Sequence, residues 1–184
     1  MSSGHSGARK GRALIKPAIF ILLAFNALLY AKAGRLSEGL DALGWFALLV
    51  LFEIETRWPH RTRILPWTAV LGLLRLMAAA GVTAAALAYL REREWIDATN
   101  AWLWIGVVVV LEFEVRAPVL AARMRRWITA ASIVLYGALT LVALTWLVQG
   151  EWFDGYDAVL WITAFALIEM DLFRLGSTTI PERT

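Results

Sequence analysis

Three pairs of carboxylates stand inside or beside apolar sequence. Glu53 with Glu55, Glu112 with Glu114, and Glu169 with Asp171 each lie near the end of an apolar stretch, the two acids separated by one residue. Ionisable groups at membrane depth are costly, and by default they mark ion or proton handling. Oxygen-only ligands suit a proton or a hard cation such as Mg²⁺, Ca²⁺ or Mn²⁺, and do not suit Zn²⁺ or copper. On a regular helix, residues two apart diverge by about 200°. The acids of each pair therefore flank a stripe: Trp45, Leu49, Phe52, Thr56; then Trp104, Val108, Leu111, Val115; then Trp161, Phe165, Ile168, Leu172. In a closed ring of hairpins, an acid leaving one helix on one side approaches a neighbour's acid leaving on the other.

Basic partners are at hand. Arg57 follows Glu53 and Arg116 follows Glu112 at i+4, the spacing of helical ion pairs, and Arg174 follows Asp171 at i+3. Arg75 lies inside an apolar stretch and needs a carboxylate or a water-filled cavity. Two readings of this set compete. In one, Glu–Arg clasps hold hairpins in register. In the other, a polar cavity handles a proton or hard cation. Repetition alone does not choose between them.

The elements that must position these residues are apolar helices. Six stretches cover 17–34, 42–56, 66–90, 101–115, 127–148 and 158–172. A spanning helix takes about 20 residues; the odd stretches reach the spanning range, and the even ones do so only if flanking polar residues are counted. Asp41 to Glu53 is about 18 Å of helix at 1.5 Å per residue, which leaves the first acid short of the far side of a core about 30 Å thick.

The even stretches repeat. The pattern [ED]-x2-[DN]-A-x2-W-x7-E-x-[ED] occurs from Glu38, from Asp97 and from Asp154, at offsets of 59 and 57 residues. The expected architecture is all-α: six transmembrane helices as three tandem αα-hairpins in a pseudo-threefold bundle. The hairpins occupy 17–58, 66–117 and 127–175, between a basic tail at 1–16 and a second tail at 176–184. Asp41, Asn100 and Asp157 read as N-caps, Glu38, Asp97 and Asp154 as dipole partners, and Trp45, Trp104 and Trp161 as boundary anchors. Lys16 and Arg75 are repeat equivalents, and Ser132 in the third position breaks the symmetry. The small residues of the third stretch, from Ala78 to Ala88, suit close helix packing.

Charge sets the expected orientation. With the N-terminus cytosolic, thirteen of the eighteen Lys and Arg fall on the cytosolic side and four on the other, with Arg75 within a span. By the positive-inside rule both termini are then cytosolic. Residues 31–33, Ala-Lys-Ala, resemble a signal-peptide cleavage site, but the repeat gives the first span a partner and argues against cleavage.

Composition agrees: 60% of residues are hydrophobic, 18% charged, and mean hydropathy is +0.63, against about 25% charged in soluble domains. The absence of cysteine removes thiolate chemistry, and with His5 and His60 alone a bis-His haem is ruled out. No phosphate loop, HExxH or GxSxG motif is present. No cofactor is expected and enzymatic chemistry is the least favoured class. The expected partners are the lipid bilayer and further copies or subunits of a membrane complex, not nucleic acid, because topology already accounts for the basic loops. The functional expectation is a multi-pass protein of the plasma membrane, the inner membrane in a bacterium. It handles a proton or cation through Glu53, Glu55, Glu112, Glu114, Glu169 and Asp171, with Arg57, Arg75, Arg116 and Arg174 beside them. The alternative is a non-catalytic structural or assembly subunit.

Overall fold

The structure, a computed structural model, describes the backbone of residues 4–58 and 66–177 and the side chains of 15–55, 57–58, 66–114 and 116–167. Among the described residues it holds seven helices and no strand: α1 Gly4–Ala33, α2 Leu36–Arg57, α3 Trp67–Glu92, α4 Trp95–Arg116, α5 Pro118–Arg123, α6 Arg125–Gln149 and α7 Trp152–Ser177.

Four segments are long and apolar enough to cross a membrane: Ile15–Ala33, Trp67–Glu92, Trp95–Glu114 and Arg125–Gln149. Only 22% of the residues in each apolar window are buried, and Ile21, Phe25, Leu73, Leu76, Ile133 and Leu141 face outward. So much contiguous apolar surface fits lipid better than water. The chain thus fits a membrane protein. α2 is equally long at 22 residues, but Glu38, Asp41, Glu53 and Glu55 put at least three charges in any 18-residue window, and it is not among the four.

Helix ends keep the offsets of the sequence repeat. α1, α3 and α6 end at Ala33, Glu92 and Gln149, and with two residues between, α2, α4 and α7 begin at Leu36, Trp95 and Trp152. The three reversals are Gly34-Arg35, Arg93-Glu94 and Gly150-Glu151. A reversal this short favours a left-handed residue after the helix. Arg93 adopts one with φ 62°, and Gly150 with φ 87°.

The caps expected at Asp41, Asn100 and Asp157 are therefore corrected. The helices start five residues earlier, because the reversal consumes only two residues and the polar stretch after it is already helical. At α2 the backbone N–H of Arg35 donates to Glu38 Oε2 at 3.0 Å, the glutamate half of a capping box. Asp41 lies in the second turn, where it accepts the indole N–H of Trp45 at 3.0 Å.

Burial repeats as well. Leu23 and Ala27 in α1, Val82, Ala86 and Tyr89 in α3, and Leu139, Ala143 and Trp146 in α6 are buried at matching positions. Tyr30 completes the α1 stripe, half-buried. Gly39, Ala98 and Gly155 are the matching small residues of the following helices, and all three are buried. Trp45, Trp104 and Trp161 are at most 8% exposed. They are buried in the packing, whereas the anchoring role expected of them calls for an exposed ring. The exposed large residues at helix ends are Leu36, Trp95 and Trp152 at the reversals, and Trp58, Trp67 and Trp127 at the opposite ends.

The chain forms two compact units, Ala24–Ala138 on the one hand and Met1–Leu23 with Leu139–Thr184 on the other. In the first, α2 packs along α3, and α3 along α4. Gly44 allows the closest approach, since a Cβ there would lie 2.7 Å from Val82 Cγ2 and 3.2 Å from the Ala78 carbonyl oxygen. The Trp45 and Trp104 rings are 6.4 Å apart, and Tyr136 meets Trp104 edge-on at 6.5 Å. In the second unit Gly155 seats α7 on α6, where an added Cβ would lie 2.6 Å from Leu147.

Candidate functional site

The first unit carries charge clusters at both ends of its helices. At the reversals, Arg35 precedes α2 and reaches across to the second hairpin. Its Nε meets Glu38 at 2.7 Å, and its Nη1 meets Glu94 at 2.5 Å and Glu92 at 3.7 Å. Its Nη2 lies 3.5 Å from Asp97. Ser37, 2% exposed, donates from Oγ to Glu92 at 2.8 Å. Burial lowers the pKa of the Arg35 guanidinium, but the hydrogen bonds and charges of Glu38 and Glu94 raise it further, and the net displacement is upward.

This network follows from the repeat. Arg35 and Glu94 are equivalent positions 59 residues apart, and so are Trp45 and Trp104. At both pairs, residues at equivalent positions of the repeat are in direct contact. Like charges there would repel; with Arg at the first position and Glu at the second, they form a bond instead. Position alone gives Glu38 and Asp97 a dipole role and gives Arg35 none. The missed signal was a lone reversal of charge sign at one register position: Arg35, Glu94, Glu151.

The opposite end holds the candidate carboxylates. Glu55 lies 19 positions beyond Leu36 on α2, or about 28 Å along the helix at 1.5 Å per residue. Glu55 pairs there with Nη2 of Arg75 from α3. That bond supplies the carboxylate Arg75 requires, and it joins two hairpins. Arg116 Nε donates to Glu112 one turn earlier on α4. Glu53 is half-buried and engaged. Glu114 is half-buried and makes no ion pair among the described residues, and Arg57 is exposed on α2. Glu169, Asp171 and Arg174 belong to α7, but their side chains lie outside the described residues.

Chemically, each cluster is a carboxylate–guanidinium association. Among the described residues no three acids or histidines are grouped so as to hold a metal ion. The one buried polar side-chain atom left without a hydrogen bond among them is Asn100 Oδ1, at the register position where Asp41 receives Trp45. No protein-family profile, curated protein or solved structure matches the chain.

Proposed function

We propose that this chain is a non-catalytic structural or assembly subunit of a membrane complex, built of six spans in three repeated hairpins with both termini cytosolic. Its place is the plasma membrane, the inner membrane in a bacterium. The carboxylates act as clasps between hairpins. The observation that carries this reading is the Glu55–Arg75 pair, in which an arginine inside an apolar helix is answered by an acid from the preceding hairpin.

A second reading, proton or cation handling, is favoured by Glu114, a half-buried acid with no ion pair among the described residues. Proteoliposomes separate the two. Wild type is compared with Glu53→Gln, Glu112→Gln and Glu169→Gln combined, for flux driven by a pH or cation gradient. The clasp reading expects no carboxylate-dependent flux and co-purification with other subunits under mild extraction. Flux that the triple variant abolishes, with thermal stability unchanged, overturns it in favour of transport. Reporter fusions after Gly34, His60, Asn100, Arg123, Gly155 and Gly176 should alternate sides; two consecutive fusions on one side would refute six spans.

A further inference from the structure

The connection between α4 and α6 is basic and amphipathic. It runs from Arg116 through the short helix α5 to Trp127, and its Arg116, Arg123, Arg125 and Arg126 are all exposed. Arg116 already holds Glu112. The other three make no ion pair among the described residues. The sequence offers little competition either, since no acid occurs from Val115 to Gln149. Interleaved with these cations, Val119 is 86% exposed, Trp127 67% and Leu120 45%.

Such a surface is badly matched to water and well matched to a membrane boundary. Trp127 sits at the start of an apolar helix, as the exposed Trp67 does, and Trp58 is exposed just past the C-terminal end of α2. Tryptophan concentrates at the headgroup level. Arginines within a few residues of it are then at the depth of lipid phosphates, which guanidinium groups bind by paired, charge-assisted hydrogen bonds. Clusters of basic residues directly beside a span draw anionic lipid in this way.

We propose that residues 116–127 form a binding surface for anionic phospholipid headgroups. Arg123, Arg125 and Arg126 hold the phosphate, and Val119, Leu120 and Trp127 enter the acyl boundary. The proposal rests on the multi-pass reading but not on the subunit role.

The experiment uses the full chain purified in a neutral detergent. Phosphatidylglycerol, phosphatidylcholine and inorganic phosphate are titrated separately, with retained lipid counted by native mass spectrometry and stability followed by thermal unfolding. Phosphatidylglycerol should bind saturably and raise the midpoint, less so in high salt, while phosphatidylcholine and inorganic phosphate leave it unchanged. R123Q/R125Q/R126Q should weaken phosphatidylglycerol binding by about tenfold or more, given the size of each basic contact near a lipid surface. R91Q/R93Q, at the opposite helix end, should bind as wild type. Circular dichroism and gel filtration establish that each variant is folded; should the triple variant fail to fold, single Arg→Gln variants are titrated instead. Equal response to both lipids, full binding by the neutralised variants, or an equal effect of inorganic phosphate would overturn the proposal. Extraction of the chain from membranes by alkaline carbonate would instead refute the multi-pass reading, and is scored separately.

Discussion

The two ends of the first compact unit solve the same electrostatic problem differently. At the reversals one arginine, Arg35, is shared by Glu38, Glu92, Glu94 and Asp97, so cation and anions are mismatched in number and the network is redundant. At the opposite end Arg75 has Glu55, and Arg116 has Glu112. Exposure of the side chains is similar, 41% for Arg35 and 36% for Arg75. What differs is the kind of segment each belongs to. Arg35 lies in a turn outside the apolar helices, where water screens whatever bond is lost. Arg75 belongs to a segment able to cross a membrane, where an unpaired charge has no such recourse. Pairing at one end is optional, and at the other obligatory.

That contrast is breakable. The largest effect should come from Glu55→Ala, which strands Arg75 and should lower stability by about 2–3 kcal/mol. Changing Glu55 and Arg75 together to Met should recover most of the loss, since an apolar pair can replace an ionic one. Chemical unfolding in detergent micelles measures both, and a loss from Glu55→Ala no greater than from Arg35→Gln would erase the contrast.

Next comes Gly44→Val, which tests whether packing between the two ends matters as much as charge. Its Cβ meets Val82 and the Ala78 carbonyl, so the α2–α3 contact must open, at about 1–3 kcal/mol. Unchanged stability would show that the helices are not in close contact there.

Arg35→Gln should cost about 1 kcal/mol or less, the scale of exposed ion pairs, and the loss should shrink as salt is added. The pKa of Arg35 is raised in the folded state, so its contribution is fully present below the ordinary arginine range and is lost only as pH rises through the folded value. The wild-type minus Arg35→Gln difference should therefore show no alkaline loss up to pH about 10. A decline between neutrality and that point would count against the arginine network.

The smallest effect belongs to the turn itself. Arg93 holds a left-handed conformation that glycine adopts freely, as Gly150 does at the matching reversal. Arg93→Gly should stabilise by about 0.5–1 kcal/mol, somewhat less than the roughly 1–2 kcal/mol left-handed penalty, because glycine loses more chain entropy on folding. A drop in the unfolding midpoint would mean that the Arg93 side chain contributes a contact outweighing the strain.

The residues themselves determined much of this. Composition and apolar runs established a helical protein fit for a membrane, and spacing revealed the offsets of 59 and 57 residues that the helix ends keep. Arg75 announced its need for a carboxylate, because a guanidinium in an apolar run is intolerable alone. Periodicity assigns a residue to a face of its own helix, however, and does not say which neighbour meets that face. Only tertiary structure decided that Glu55 answers Arg75, when Glu53 stands only two residues away. It likewise decided that Trp45, Trp104 and Trp161 lie in the packing, leaving Trp95 and Trp152 exposed at the reversals. A tryptophan two to three turns into a helix suits either place, and the packing of the neighbouring helices settles which. The Arg35 network was hidden for the same reason, since its partners converge only where equivalent positions of two hairpins come into contact.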